Sequence, residues 1–257
     1  MIQHSIREEG IGVITLDQPQ KANALSIELL EELQHILYSF RENPSVLCII
    51  ITGSGDKAFC AGADLKERIN MNQTQVGKAV HLIKETITMI DRMPQPTIAS
   101  INGAAFGGGL ELALACDMRI ASTQAKMGLT ETSLGIIPGA GGTQRLPRLI
   151  GISKAKELIF TARKVDAIEA LRIGLVNQVA KPEDLETMSL SFARTIAANA
   201  PIAVKEAKKA IDRGMETDLE HGLQIEEMCY QITIPTKDRL EGLKAFKEKR
   251  KPKYIGE

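Results

Sequence analysis

Two carboxylates and three glycine-rich segments are the parts of this chain that could do chemistry. Glu111 is the only charged side chain between Asn102 and Cys116, and Leu110, Leu112, Ala113, Leu114 and Ala115 surround it. Glu131 stands in the polar stretch GLTETS at 128–133. Two carboxylates held near one another can share a proton and divide acid from base roles, because like charges at close range push their pKa values apart. Each also has a plainer explanation. A carboxylate in a first helical turn gains up to about 1 kcal/mol from the helix dipole, and 128–133 reads more simply as a solvated loop.

The glycine-rich segments are FCAGAD at 59–64, FGGGLELA at 106–113 and IPGAGGT at 137–143. Glycine and alanine let a ligand approach the main chain and leave backbone N–H groups exposed as donors. In the second segment the glycines open a helix running to about Cys116, whose first N–H groups lack internal partners and favour negative charge. None matches a phosphate-binding loop, since GxxxxGK[ST] and GxGxxG are both absent. Taken singly, each segment is also a plain turn or close-packed helix start. Their shared feature is position: two of them follow buried strands, where α/β sheets place ligands.

The elements that would hold these residues alternate along the chain. Residues 11–16 read as a strand leaving into a loop at Asp17 and Pro19. From Ser26 the spacing turns helical, with Leu30, Leu33, Leu37 and Phe40 on one face and a stop at Asn43-Pro44. The apolar β-branched runs at 46–52 and 97–101 predict strands buried on both faces. Residues 118–121 and 175–179 are weaker strands, and helices fall at 74–93, at 153–161 and after Asp166, where Asp166 and Glu169 have capping-box spacing. Past Pro201 three helices follow, at 202–214, 218–233 and 237–249, the last stopped by Pro252. The expected class is α/β, with a core over 1–200, a helical piece over 201–257, and no clean internal repeat.

Composition narrows the function. The 257 residues carry 32 basic and 32 acidic side chains, a formal net charge of zero, which argues against nucleic-acid or anionic-membrane binding. No stretch approaches the roughly 20 apolar residues of a membrane span. The polar N-terminus with Glu8 and Glu9 is unlike a signal peptide or organelle presequence, and the unpaired cysteines Cys48, Cys60, Cys116 and Cys229 suit reduced thiols, so a cytoplasmic location is expected. The four histidines show no metal-binding spacing.

At the same residues the chain resembles the enoyl-CoA hydratase (crotonase) family. The stretches that carry the resemblance are AFCAGADLKE at 58–67, INGAAFGGGLELALACD at 101–117 and MGLTETSLGIIPGAGGTQRLPR at 127–148, and it extends over essentially the whole length. It implies an oxyanion hole at the backbone N–H groups of Ala63 and Gly108, with catalytic glutamates at Glu111 and Glu131. It also implies coenzyme A and acyl-binding walls around Lys21, Ala22, Ala24, Leu25, Ala61, Asp64, Leu65, Pro138 and Gly139. Coenzyme A is then part of the substrate, with no metal or other cofactor required. The implied fold is a crotonase-like spiral of ββα units with a C-terminal helical trimerisation region, the trimers commonly pairing into hexamers. Having both glutamates fits hydration better than isomerisation.

GADLKER at 62–68, GGGLELALACD at 107–117 and IPTKDRLEGLKAFKEKR at 234–250 look most like the methylglutaconyl-CoA hydratases of leucine breakdown. No cation for that substrate's distal carboxylate is evident from the sequence. An animal member of that subgroup binds AU-rich RNA through lysines at four-residue spacing on its first helix. Here the matching positions are Ile27, Glu31 and His35, beside Glu28 and Glu32, so RNA binding is not expected.

Overall fold

The first sixteen residues build a hairpin where the sequence showed one strand. The structure, a computed structural model, describes residues 1–257. Strand β1 (Ile2–Arg7) pairs antiparallel with β2 (Ile11–Leu16), turning through Glu9 and Gly10, both at positive φ. Only Ile2 of β1 is buried, so this edge strand lacks the alternation that marks β2.

Helix α1 (Ile27–Glu42) starts as its spacing demands. Ser26 caps it by accepting from Leu29 N, and Leu30, Leu33, Leu37 and Phe40 are buried.

A ββα unit then recurs three times. The first is β3 (Cys48–Gly53), β4 (Ala58–Cys60), α2 (Leu65–Ile69) and α3 (Gln73–Asp91). The second is β5 (Thr97–Ile101), β6 (Ala104–Phe106) and α4 (Gly108–Ala115). The third is β7 (Met118–Ser122), β8 (Lys126–Gly128), α5 (Gly142–Ile150) and α6 (Ile152–Phe160). The chain continues through β9 (Val165–Asp166), α7 (Ala167–Arg172), β10 (Gln178–Ala180) and α8 (Leu185–Ala197). The long strand of each unit joins a six-stranded sheet ordered β1-β2-β3-β5-β7-β10, parallel from β2 onward. The short strand of each joins a second sheet ordered β4-β6-β8-β9. The mixed α/β spiral is therefore present, and the repeat that the sequence did not reveal is structural. Strands of three residues are too short to give a period, and the helices between them differ in length and number.

Successive side chains of β3 explain why its sequence is apolar throughout. Ile49 and Ile51 enter the main core with Leu29, Leu33, Phe59 and Leu110, whereas Cys48 and Ile50 meet Leu185 and Ala193 of α8 on the opposite face.

Three helices close the chain: α9 (Pro201–Gly214), α10 (Leu219–Thr233) and α11 (Lys237–Glu248). Helix α9 is tied to the core where Lys208 Nζ meets Asp117 Oδ2 at 2.7 Å and the Gln95 carbonyl at 3.3 Å. Helix α11 ends before Pro252, because Lys249 turns left-handed at φ 53° and its N–H closes the last turn. At Asp166 the expected capping box is half formed. Asp166 accepts from Glu169 N, but the Glu169 carboxylate is engaged by Arg163. No helix is long and apolar enough to cross a membrane.

Candidate active site

The second sheet brings the three glycine-rich or polar segments together. Its strands β4, β6 and β8 run parallel, with Cys60 beside Ala105 and Phe106 beside Gly128. Their C-terminal ends consequently deliver Ala61–Ala63, Gly107–Glu111 and Glu131 to one place. The segments do not leave the long strands directly, as the sequence reading supposed; a short strand intervenes each time. Asn23 and Asn102 pin this corner. Asn23 Nδ2 donates to the Ala58 carbonyl at 2.8 Å, and Asn102 accepts from Gly53 N at 3.1 Å.

The glycines are required by close approach. Gly62 has φ +90°, and a Cβ there would lie 2.8 Å from the Phe106 carbonyl. A Cβ on Gly109 would fall 2.0 Å from the Cys60 carbonyl, so any side chain would push α4 off β4. Gly107, at φ 50° and ψ −125°, caps α4 in a conformation open to little but glycine. The result is a pair of free donors. Gly108 is the first residue of α4, and neither its N–H nor that of Ala63 has an acceptor within the chain. A Cβ on Gly108 would lie 3.7 Å from Ala63 N, so the two donors are close neighbours.

Glu111 lies one helical turn further and is 3% exposed. Its Oε1 accepts from Ala140 N and Gly142 N, each at 2.8 Å, which ties the third glycine-rich segment to α4. Burial raises the Glu111 pKa, while these two N–H groups, then Arg145 and Arg68, pull it back.

Glu131 opens a short 3-10 helix, Glu131–Leu134, and is buried rather than solvated as its polar neighbours suggested. Its Oε2 has no hydrogen-bond partner, and its pKa is pushed up to about 7, chiefly by burial and further by the charge of Glu111. One carboxylate is clamped by donors; the other holds its proton near neutrality.

Both face a pocket of about 590 Å³. Ala61, Ala63, Leu65, Gly108 and Gly139 also line it. The remaining residues named from the resemblance do not line the pocket. The Ala22 carbonyl accepts from Ala61 N, Leu25 bridges to Ala63, and Asp64 caps α2 by accepting from Lys66 N and Glu67 N. Lys21 is exposed, Ala24 is buried, and Pro138 packs beside Gly142.

Sequence reasoning missed the wall formed by Val76, Val80 and Ile83 of α3, although their helical spacing was a usable signal. It also missed Arg68, whose short charged helix gave none, and the N–H donors of Ala140 and Gly142.

Comparison with known proteins identifies the family. A model of the enoyl-CoA hydratase/isomerase family matches residues 6–257. The Bacillus subtilis (strain 168) protein YngF, named for that family, is 57% identical over 99% of this chain and 98% of its own. Human mitochondrial methylglutaconyl-CoA hydratase is 51% identical, covering 96% of this chain and 74% of that protein. The crystal structure of enoyl-CoA hydratase from Bacillus anthracis superposes with a TM-score of 0.99 at 55% identity, over 100% of this chain and 99% of that one. The chain belongs to the enoyl-CoA hydratase/isomerase family.

Proposed function

We propose that this protein is a hydro-lyase that adds water across the C2=C3 bond of a 2-enoyl-CoA thioester, and removes it in reverse. The observation that carries this reading is two buried carboxylates on one pocket beside two free backbone donors. Attack of water on C3 moves electrons to the thioester oxygen, and the N–H groups of Ala63 and Gly108 stabilise the resulting enolate. Such fixed donors need no reorganisation, and losing one typically costs about 2.7–4 kcal/mol of barrier.

The two glutamates divide the proton work. Glu111, clamped by two N–H groups, takes the proton of the attacking water. Glu131, whose pKa is pushed up to about 7, gives its proton to C2. Each such transfer typically contributes about 10²–10⁴-fold. An isomerase needs only one carboxylate to shuttle a proton between C2 and C4, so the pair favours hydration. No step calls for a metal or redox cofactor.

Loss of the enoyl-thioester absorbance, measured over linear, branched and carboxylated substrates, tests the proposal. Turnover of at least one substrate to its 3-hydroxyacyl product is expected. Inertness toward all of them, or double-bond migration without hydration, would contradict it.

The identity with human methylglutaconyl-CoA hydratase favours a carboxylated, branched substrate as the physiological one. We further propose, from the family resemblance, a cytoplasmic homotrimer with trimers pairing into hexamers; the exposed apolar stripe of Leu240, Leu243 and Phe246 on α11, Phe246 being 87% exposed, supports self-association. Acidic residues on α1, Glu28 and Glu31, are exposed, which supports the absence of RNA binding.

A further inference from the structure

The pocket contains one cation, and it is unclaimed. Arg68 projects from α2 into the pocket as its only basic side chain, alongside Glu111, Thr130 and Glu131. Its guanidinium makes no ion pair or hydrogen bond with the rest of the chain; only its backbone is bonded. That is unusual for this molecule. The other arginines that are at least partly buried are all engaged: Arg41 with the Arg92 carbonyl, Arg119 with the Leu175 and Cys116 carbonyls, Arg145 with Asp91, and Arg163 with Glu169. A guanidinium without a carboxylate partner in a largely apolar pocket is costly to keep there unless something binds to it.

We propose that Arg68 receives a second carboxylate of the acyl group, and so makes the pocket selective for enoyl thioesters carrying a carboxylate just beyond C3. The proposal rests on the hydratase reading and names the residue that would select the carboxylated class of substrate. Arg68 is placed for this role. It lines the same cavity as Glu111 and Glu131, the two carboxylates assigned to C3 and C2. Bidentate pairing suits a planar guanidinium. The need is electrostatic too. A free carboxylate on the substrate would enter a pocket already holding two glutamates, and only a cation offsets that repulsion. The walls of Val76, Val80, Leu134 and Ile137 leave the rest of the cavity apolar, as a branched carbon skeleton requires.

Steady-state kinetics with 3-methylglutaconyl-CoA and crotonyl-CoA test the assignment, using the unmodified protein, Arg68→Met and Arg68→Lys. The measured quantity is the ratio of kcat/KM for the carboxylated substrate to that for crotonyl-CoA. In Arg68→Met this ratio is expected to fall about 10- to 100-fold, mostly through KM, the range for losing a hydrogen bond to a charged group. Arg68→Lys is expected to recover part of it, which separates a lost charge from a disturbed helix.

A ratio unchanged within about twofold in Arg68→Met overturns the proposal, whether both activities drop together or neither does. The first pattern would make Arg68 a counter-charge for Glu111 or a contact to the coenzyme A moiety. Failure of the unmodified protein to hydrate the carboxylated substrate also overturns it, while hydration of crotonyl-CoA would leave the hydratase reading standing. Inertness toward both substrates removes the two together.

Discussion

Replacing Glu111 or Glu131 by glutamine keeps the shape of each side chain and removes its proton chemistry. Each variant is expected to lose at least about 10²-fold in kcat while coenzyme A binding, read by calorimetry, persists. Near-normal turnover in either would remove that residue from the mechanism. The pH dependence follows from Glu131, whose pKa lies near 7. Turnover needs one proton on the pair, so kcat/KM should fall as pH rises above about 7. Hydration and dehydration start from that same single-proton state, and no proton is consumed overall, so both directions should fall alike.

Stability carries the same sign. The Glu131 pKa is raised from 4.5 to about 7, so native stability should decline as pH rises from the first value to the second, and level off above it. Glu131→Gln should flatten that slope in urea titrations. Of this site, Glu111 was legible as an isolated charge in an apolar helix. Glu131 was not, because its neighbours are polar and its burial comes from β6, Gly107 and the pocket wall, all distant in sequence. Only resemblance singled it out.

Helix α4 is the element on which the site depends. It carries Gly108 and Glu111, and its seat against β4 is set by a glycine with no room for a methyl group. Gly109→Ala should therefore displace the Gly108 donor, lowering kcat by about 10²-fold or more together with the melting temperature. An active, stable Gly109→Ala protein would show that α4 can move without cost to the donors. Apart from the edge strand β1, the long strands and most helices were legible from their apolar spacing, with ends off by one or two residues, while β10 begins three residues later than its apolar run suggested. The short strands β4, β6 and β8 were not. Three residues give no period, yet their pairing is what gathers the glycine-rich segments. The left-handed end of α11 was equally invisible, since Lys249 is a residue that seldom adopts that conformation.

At the scale of the molecule, the spiral explains how residues 20 to 50 positions apart meet: each ββα turn adds a parallel strand to the second sheet and brings the chain to the same C-terminal end of its strands. The C-terminal helices leave an apolar face whose exposure fits self-association, so Phe246→Asp combined with Leu243→Asp should yield monomers by light scattering. An unchanged oligomer would place the interface elsewhere. The basic C-terminal stretch of Lys244, Lys247, Lys249, Arg250 and Lys251 is less free than its composition suggests, because Arg250 pairs with both Glu241 and Glu248.

The most direct test of the two-carboxylate site is a crystal structure with a non-hydratable acyl-CoA bound. The thioester oxygen is expected about 2.7–3.1 Å from both Ala63 N and Gly108 N, with C3 facing the space between Glu111 and Glu131. A thioester bound away from those two N–H groups, or a C3 that reaches neither carboxylate, would contradict the mechanism.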